Sequence, residues 1–175
     1  MSFHMQPVTV AIADSDRDRR AGCERFIQNE LGITLLKNVT SSAEVGKNYA
    51  FVNRRLKPRN NVTASENEVA RIKRLNPHVL LVNLNLSTDE ECALLLSLRR
   101  ECPESLMVLL TDDSVRDNQI IQVLELGARG YMNYENVQYQ LPKAIQVVGR
   151  GEAWVPRKML GNIMDYMLNS RFAYQ

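Results

Sequence analysis

Three polar residues stand at the ends of apolar runs: Asp14 after VTVAIA, Asn83 after PHVLLV and Thr111 after LMVLL. A carboxylate, an amide and a hydroxyl in one place can hold an ion or can satisfy one another. Only Asp14 carries an anionic oxygen, so only Asp14 offers a hard cation an ionic ligand or gives an oxygen nucleophile. Asn83 offers neither. The amide reads either as a satisfied group bonded to loop backbone or as part of a pocket that senses something else. Asp112 and Asp113 follow Thr111 and read as the solvated opening of a turn, and Thr111 reads equally as an ordinary strand-end hydroxyl. His4 and His78 have no companions at metal-ligand spacing. Cys23, Cys92 and Cys102 show no CxxC spacing, which fits reduced thiols rather than a disulfide frame or a zinc site.

These residues need a scaffold that sets strand ends side by side. Val8–Ala13 is short, apolar and β-branched, as a buried parallel strand should be. A helix with Cys23, Phe26, Ile27 and Leu31 on one face follows, with Gly32 as its C-cap. A second strand is predicted over Ile33–Val39. Ser65 and Glu68 form a capping-box pattern for a helix through Leu75, and His78–Asn83 is the third strand. Thr88 and Glu91 open a helix to about Arg100. Leu106–Leu110 is the fourth strand, and Ser114 caps a helix with Ile120, Val123 and Leu124 that ends at Gly127. Arg129–Met132 is the fifth strand, and a last core helix runs from near Leu141 to Val148 with Pro142 in its first turn. Strands alternating with helices predict an open parallel α/β sheet. Ligands of such sheets sit at the carboxyl ends of the strands, at the topological switch point, which is where Asp14, Asn83 and Thr111 fall.

The 175 residues suffice for one domain with an appendage, and a net charge of +2 is too small to imply nucleic acid by bulk electrostatics. No apolar run is long enough for a membrane span and MSFHMQ has no signal architecture, so the expected location is cytoplasmic. Two segments break the alternation. Residues 46–63 carry Lys47, Arg54, Arg55, Lys57 and Arg59 without an acid, beside Tyr49 and Phe51, a composition open to anion or nucleic-acid contact. After the fifth helix, Leu160, Ile163, Met164, Met167 and Leu168 repeat at i, i+3, i+4, i+7, i+8 on a terminal helix that either docks on the domain or pairs with another copy.

In order, VAIADSD, PHVLLVNLNLS, VLLTDD and ELGARGYMNY resemble the receiver domain of bacterial response regulators. GARGYMNY followed by AIQVVGRGEAWVPRKML is similar to the NarL/LuxR-type subfamily, in which a linker helix leads to a helix-turn-helix DNA-binding domain. The resemblance implies a flavodoxin-like, CheY-like doubly wound sheet of order 2-1-3-4-5 with an extra C-terminal linker helix. It implies a receiver over residues 1–151 with an insertion at 46–63, and a linker or dimerisation helix over 152–175 that ends where the DNA-binding domain would begin. Receivers of this family bind Mg²⁺ through two adjacent acids after the first strand and a backbone carbonyl after the third. They phosphorylate an Asp ending the third strand, with a Ser/Thr ending the fourth and a Lys after the fifth.

Matched residue by residue, Asp14 keeps the first acid and Ser15 replaces the second, while Asp16 falls one residue late. Asn83 replaces the acceptor, Asn85 offers the carbonyl, Thr111 keeps the hydroxyl, Tyr134 replaces the Lys, and Tyr131 matches the aromatic switch position. Tyr131 and Tyr134 read either as filling the emptied site, with Thr111 or Asn83 bonding a buried hydroxyl, or as a partner surface. Asp14 itself reads as a possible cap for the first helix. A single carboxylate binds Mg²⁺ poorly, so the expectation is a degenerate, phosphorylation-independent receiver with no enzymatic activity and Mg²⁺ binding weak or absent. It would act by protein–protein contact, as a homodimer or with a regulatory protein, with DNA reached only through the absent C-terminal domain and no membrane partner. Two alternatives stay open: a Mg²⁺-dependent phosphoacceptor switch using Asp14 or Asp16, and direct nucleic-acid binding through the basic insertion.

Overall fold

The computed structural model describes residues 6–14, 16–37, 64–83 and 89–172. Five parallel strands form one sheet: β1 (Val8–Ala13), β2 (Ile33–Leu35), β3 (Val79–Asn83), β4 (Leu106–Thr111) and β5 (Gly130–Asn133). The order is β2-β1-β3-β4-β5, as expected for a doubly wound sheet. The chain reverses direction across the sheet between β1 and β3, so the crevice at the switch point lies above the carboxyl ends of those two strands.

Alternation along each strand sorts its side chains to two apolar layers. Ala11, Ala13, Leu80, Val82, Met107 and Leu109 meet one set of helices. These are α2 (Ala64–Leu75), α3 (Asp89–Glu101) and α4 (Asp117–Glu125), through residues such as Ile72, Leu98 and Ile120. Val10, Ile12, Val79, Leu81, Val108 and Leu110 meet the other set. That set is α1 (Arg17–Ile27), through Cys23 and Ile27, and α5 (Tyr134–Gly149), through Leu141, Ile145 and Val148. β3 is buried at every position, which is why VLLVN carries no polar residue before its last.

Several boundaries differ from the sequence expectation, each for a local reason. Helix α1 stops at Ile27, with Gln28 as C-cap, and Gly32 at φ +80° serves the turn into β2 instead. Leu31 therefore lies beyond the helix and is exposed, as Phe26 largely is, leaving Cys23 and Ile27 as the buried face. Strand β2 ends at Leu35, and residues 38–63, with all five insertion cations, lie outside the described residues. Helix α2 begins at Ala64, which puts Ser65 inside it, and Glu68 pairs with Arg71 (2.9 Å) rather than closing a capping box. Helix α3 begins at Asp89, next to the expected cap Thr88, which is also outside the described residues. Ser114 does not cap α4: its backbone N–H donates to Asp112 within the preceding turn (2.9 Å), and the helix opens at Asp117 after Arg116. The Arg116 N–H is instead held by Gln119 Oε1 at 3.0 Å. Strand β5 covers Gly130–Asn133, one residue later than expected.

Helix α5 shows the largest difference, starting at Tyr134 rather than near Leu141. Asn133 supplies the cap, its side chain accepting from the Glu135 N–H at 3.0 Å. Pro142 then sits in the helix interior, where it removes one backbone hydrogen bond and costs about 3 kcal/mol in an isolated helix. Burial of Val137, Leu141, Ala144, Ile145 and Val148 offsets that cost.

The terminal helix α6 (Arg157–Phe172) docks on the domain. Met159 is buried and Ile163 packs on the α2/α3/α4 layer, while Asn162 donates to Asp117 (3.0 Å) and Tyr166 to Glu125 (2.9 Å) on α4. The segment before it is strapped to β5: the Trp154 N–H donates to the Arg129 carbonyl (3.0 Å) and the Tyr131 N–H to the Trp154 carbonyl (2.9 Å). Gly130 permits that approach, since a Cβ there would lie 2.9 Å from the Trp154 carbonyl oxygen. Gly130→Ala is expected to push the strap off β5 and to cost about 1–3 kcal/mol. Trp154 is the only tryptophan of the chain, so a red-shifted, more quenchable emission will report the release.

Candidate functional site

The two apolar layers leave four buried polar or charged residues among those described, Asp14, Asn83, Ser105 and Thr111. Ser105 donates to the Pro77 carbonyl (2.7 Å) at the opposite ends of the strands. The other three lie at the carboxyl ends of β1, β3 and β4, the three central strands. Ala13 pairs with Val82, so Asp14 and Asn83 come level across the switch point. They meet there: the Asn83 Nδ2 donates to Asp14 Oδ2 at 2.5 Å. Because an ionised carboxylate only accepts, the amide must present its nitrogen to it.

Asp14 has a second and stronger partner that the sequence reading did not single out. Arg19 donates from Nε to Asp14 Oδ2 and from Nη2 to Asp14 Oδ1, both at 2.9 Å, a fork-to-fork pair. The geometry follows from how α1 begins. Asp16, not Asp14, is the N-cap: its Oδ1 accepts from the N–H groups of Asp18 (2.9 Å) and Arg19 (3.0 Å). Arg19 thus stands in the first turn of α1, one residue past Asp18, and its side chain folds back over the end of β1. A cation in a first turn opposes the helix dipole. The buried carboxylate offsets this, and the Asp14 hydrogen bond, more than any other contact, holds the Arg19 guanidinium firmly protonated.

The same guanidinium lies 5.4 Å from the centroid of the Tyr134 ring, within cation–π range. Tyr134 is the first residue of α5 and packs on the α1/α5 layer. Burial, and then the charge of Asp14, push its phenol far up, so the ring faces the pocket as a neutral group. The side chains of Tyr134 and Thr111 each bury a hydroxyl without a hydrogen-bond partner among the described residues, so neither Thr111 nor Asn83 bonds Tyr134. Thr111 continues the alternation of Met107 and Leu109, toward the α2/α3/α4 layer, whereas Asp14 and Asn83 serve the Arg19 side. Tyr131 also parts from Tyr134: half-buried, it packs on the α2/α3/α4 layer beside the Trp154 strap. The two tyrosines therefore do not fill one site. Asp112 and Asp113 are exposed: Asp112 takes the Ser114 N–H and hydroxyl, and Asp113 accepts from Asn133. Ser15, Asn85, Lys47, Arg54, Arg55, Lys57 and Arg59 lie outside the described residues.

The Asp14 carboxylate is saturated. Its two oxygens offer about four lone-pair sites. Oδ1 takes the Asp16 N–H (2.8 Å) and Arg19 Nη2, and Oδ2 takes Arg19 Nε and Asn83 Nδ2. The Mg²⁺ implied by the receiver resemblance does not fit these residues. Mg²⁺ demands near-octahedral oxygen ligands, and the one buried carboxylate has none of its oxygens free. Among the described residues no group of three or more His, Cys, Asp or Glu side chains is placed to hold a metal ion.

Cys23 lies beneath this pocket on α1, and burial, with the Asp14 charge second, raises its thiol from 9.0 to about 11. The folded chain keeps that proton to higher pH than the unfolded chain does. The resulting stability is complete below pH 9 and is lost as pH rises through about 11. Urea unfolding on either side of that window should show wild type losing roughly 1–2 kcal/mol more than Cys23→Ala, after allowance for partial solvent screening.

The sheet order, the helices on both faces and polar groups at the switch point define the receiver-domain fold. Among the solved structures to which the chain is similar are RcsB response regulators, with and without further domains, and LuxR-family response regulators. The isolated receiver domain of RcsB from Salmonella enterica serovar Typhimurium superposes with a TM-score of 0.64 at 16% identity, over 90% of this chain and 98% of that one. A longer RcsB from Salmonella typhimurium gives 0.64 at 17%, over 92% of this chain and 68% of that one. A LuxR-family two-component response regulator from Aurantimonas gives 0.65 at 14%, over 93% and 99%. At these identities the likeness shows the fold alone. No family model matches the sequence, and no curated protein does.

Proposed function

We propose that this chain is a phosphorylation-independent receiver module that signals by protein–protein contact, without enzymatic activity, with transcription regulation as its output. One observation carries the reading: the residue at the acceptor position is an amide, buried and spent on Asp14. An amide has no anionic oxygen to attack phosphorus, and the neighbouring carboxylate has no free oxygen either. The alternative acceptors are engaged as well, Asp14 in four hydrogen bonds and Asp16 in capping α1. Incubation with acetyl phosphate and Mg²⁺, read by intact mass, is expected to leave the mass unchanged. A gain of about 80 Da, one phosphoryl group, on an aspartate would refute the reading.

The output side of the proposal rests on α6. RcsB structures include one bound to DNA and one of two dimers on two parallel DNAs. In this chain residues 152–175 would serve as the linker toward a DNA-reading domain, after a receiver over 1–151. Docking of α6 on α4 leaves Leu160, Met164, Met167 and Leu168 between 48% and 64% exposed along one face. We assign that face to a second copy of the chain. Turned antiparallel about Met164, two such helices set Leu160 against Leu168 of the other copy and Met167 over Gly161, where no atom lies within 4 Å of a Cβ. A helix pair of this length buries less than a standard interface, so the dimer should be weak, with a Kd on the order of micromolar. Met164→Glu is expected to leave the thermal midpoint unchanged and to shift sedimentation to the monomer. Wild type that stays monomeric at roughly 100-fold that concentration would refute the assignment. Among the described residues no helix is long and apolar enough to cross a membrane.

A further inference from the structure

We propose that the Arg19 guanidinium is the resident cation of this pocket, standing on Asp14 where the receiver resemblance calls for Mg²⁺ and closing the site to metal ions. Four observations converge on it. The guanidinium makes a bidentate pair with the only buried carboxylate among the described residues. Among the described residues it is the one group that supplies positive charge to that carboxylate; the other donors, the Asp16 N–H and the Asn83 amide, are neutral. Its flank lies on the Tyr134 ring, at the position where the resemblance expects a Lys ammonium. Its own helix offers it at an electrostatic disadvantage, in the first turn, which is compensated by Asp14.

The physical requirement behind this is charge balance. A carboxylate 5% exposed must be neutralised or paired. In a receiver of the phosphorylated kind, as the resemblance implies, a Mg²⁺ ion from solution and a Lys ammonium share that task. Here the counter-charge is covalently tethered, five residues along the chain, and cannot diffuse away. A tethered cation has a fixed, high effective concentration at Asp14, so a metal ion binds only after Arg19 has left. The observed metal affinity is then reduced by the fraction of time the guanidinium is away. The pocket is therefore held in one electrostatic state whatever the Mg²⁺ level or the phosphodonor supply. Signals would reach this receiver through its surfaces and not through its pocket.

This deepens the phosphorylation-independent reading and is tested apart from it, because metal binding and labelling are separate readouts. The probe is Tb³⁺, a hard cation that takes the same oxygen ligands and is sensitised by a tyrosine at short range, here Tyr134. Luminescence titrations compare the wild-type chain with Arg19→Ala, Arg19→Lys and the double variant Arg19→Ala with Asp14→Asn. Arg19→Ala should bind Tb³⁺ at least tenfold more tightly than wild type, with the gain abolished by Asp14→Asn. Arg19→Lys, which keeps a tethered cation, should stay within about threefold of wild type. If Arg19→Ala does not fold, Arg19→Gln, which keeps the stem, replaces it under the same criterion. Tb³⁺ binding to wild type as tight as to the variants and sensitive to Asp14→Asn would overturn the proposal. So would a missing gain on removal of the guanidinium. A wild type that binds the metal yet stays unlabelled by acetyl phosphate would sink this inference while leaving the phosphorylation-independent reading in place.

Discussion

Replacing Arg19 by methionine is expected to lower the unfolding free energy by about 2–3 kcal/mol. Removing one partner of a buried pair leaves an uncompensated charge, which costs roughly 3–5 kcal/mol when the site is dry. The Arg19 side chain is 41% exposed, so water can reach the abandoned carboxylate and the cost falls below that range. Asp14→Asn alone should cost less, about 1–2 kcal/mol, because the freed guanidinium can turn to solvent. The informative number is the double variant. With both charges gone nothing is left unpaired, so Asp14→Asn with Arg19→Met should be less destabilised than the sum of the singles by about 1–2 kcal/mol. Equilibrium urea unfolding of the four proteins measures the cycle. Strict additivity would mean that the pair contributes no coupling, and the resident-cation account would lose its energetic basis.

The second large effect concerns Asn83→Asp, which restores the residue type that the resemblance expects at the acceptor position. Labelling by acetyl phosphate is expected to remain absent. The new carboxylate would lie within hydrogen-bond reach of Asp14, with one guanidinium between two anions. Like charges at that distance cannot both ionise freely, so one of the pair keeps its proton well above the usual carboxylate range. A raised folded-state pKa gives stability that is complete below the unfolded pKa and is lost as pH rises through the folded one. The variant should therefore be closest to wild type in acid and fall behind it toward neutral pH, by on the order of 1–3 kcal/mol. Ser15 and Tyr134 remain in place of the second acid and the Lys, and Arg19 still covers Asp14. Robust phosphorylation of this single variant would show that those three departures are given too much weight.

The sheet was legible because β-strand physics is local. VTVAIA, VLLVN and LMVLLT are almost wholly apolar on both faces, as a strand covered on both sides requires, and the expected strands match the observed ones to within one residue at each end. The helix ends were less legible because caps compete. Ser114 resembles an N-cap but is taken by Asp112, and Asn133 caps α5 at a point where Pro142 argued for a later start. The site was half legible. Asp14 and Asn83 announced themselves as polar residues ending apolar runs, and the structure joins them. Thr111 and Tyr131 have the expected positions in sequence but turn toward the other layer. Arg19 stands among the charges of DSDRDRR, where nothing in its type or spacing singles it out. Two facts about it were available: a helix N-terminus disfavours a cation, and a lone buried carboxylate needs one. Only the fold brings the end of β1 under the first turn of α1 and turns those facts into a pair.

The central claim, that this pocket carries its own cation and is indifferent to metal and phosphoryl chemistry, has a direct test in amide correlation spectra of the wild-type protein. Spectra are recorded alone, with Mg²⁺, and with Mg²⁺ and beryllofluoride, which mimics an aspartyl phosphate. The account predicts that the resonances of Asp14, Asn83, Thr111, Tyr131 and Tyr134, and the Arg19 Nε–H held by Asp14, stay where they are in all three. Concerted shifts of these residues on adding Mg²⁺ and beryllofluoride, with loss of the protected Arg19 Nε–H, would contradict it.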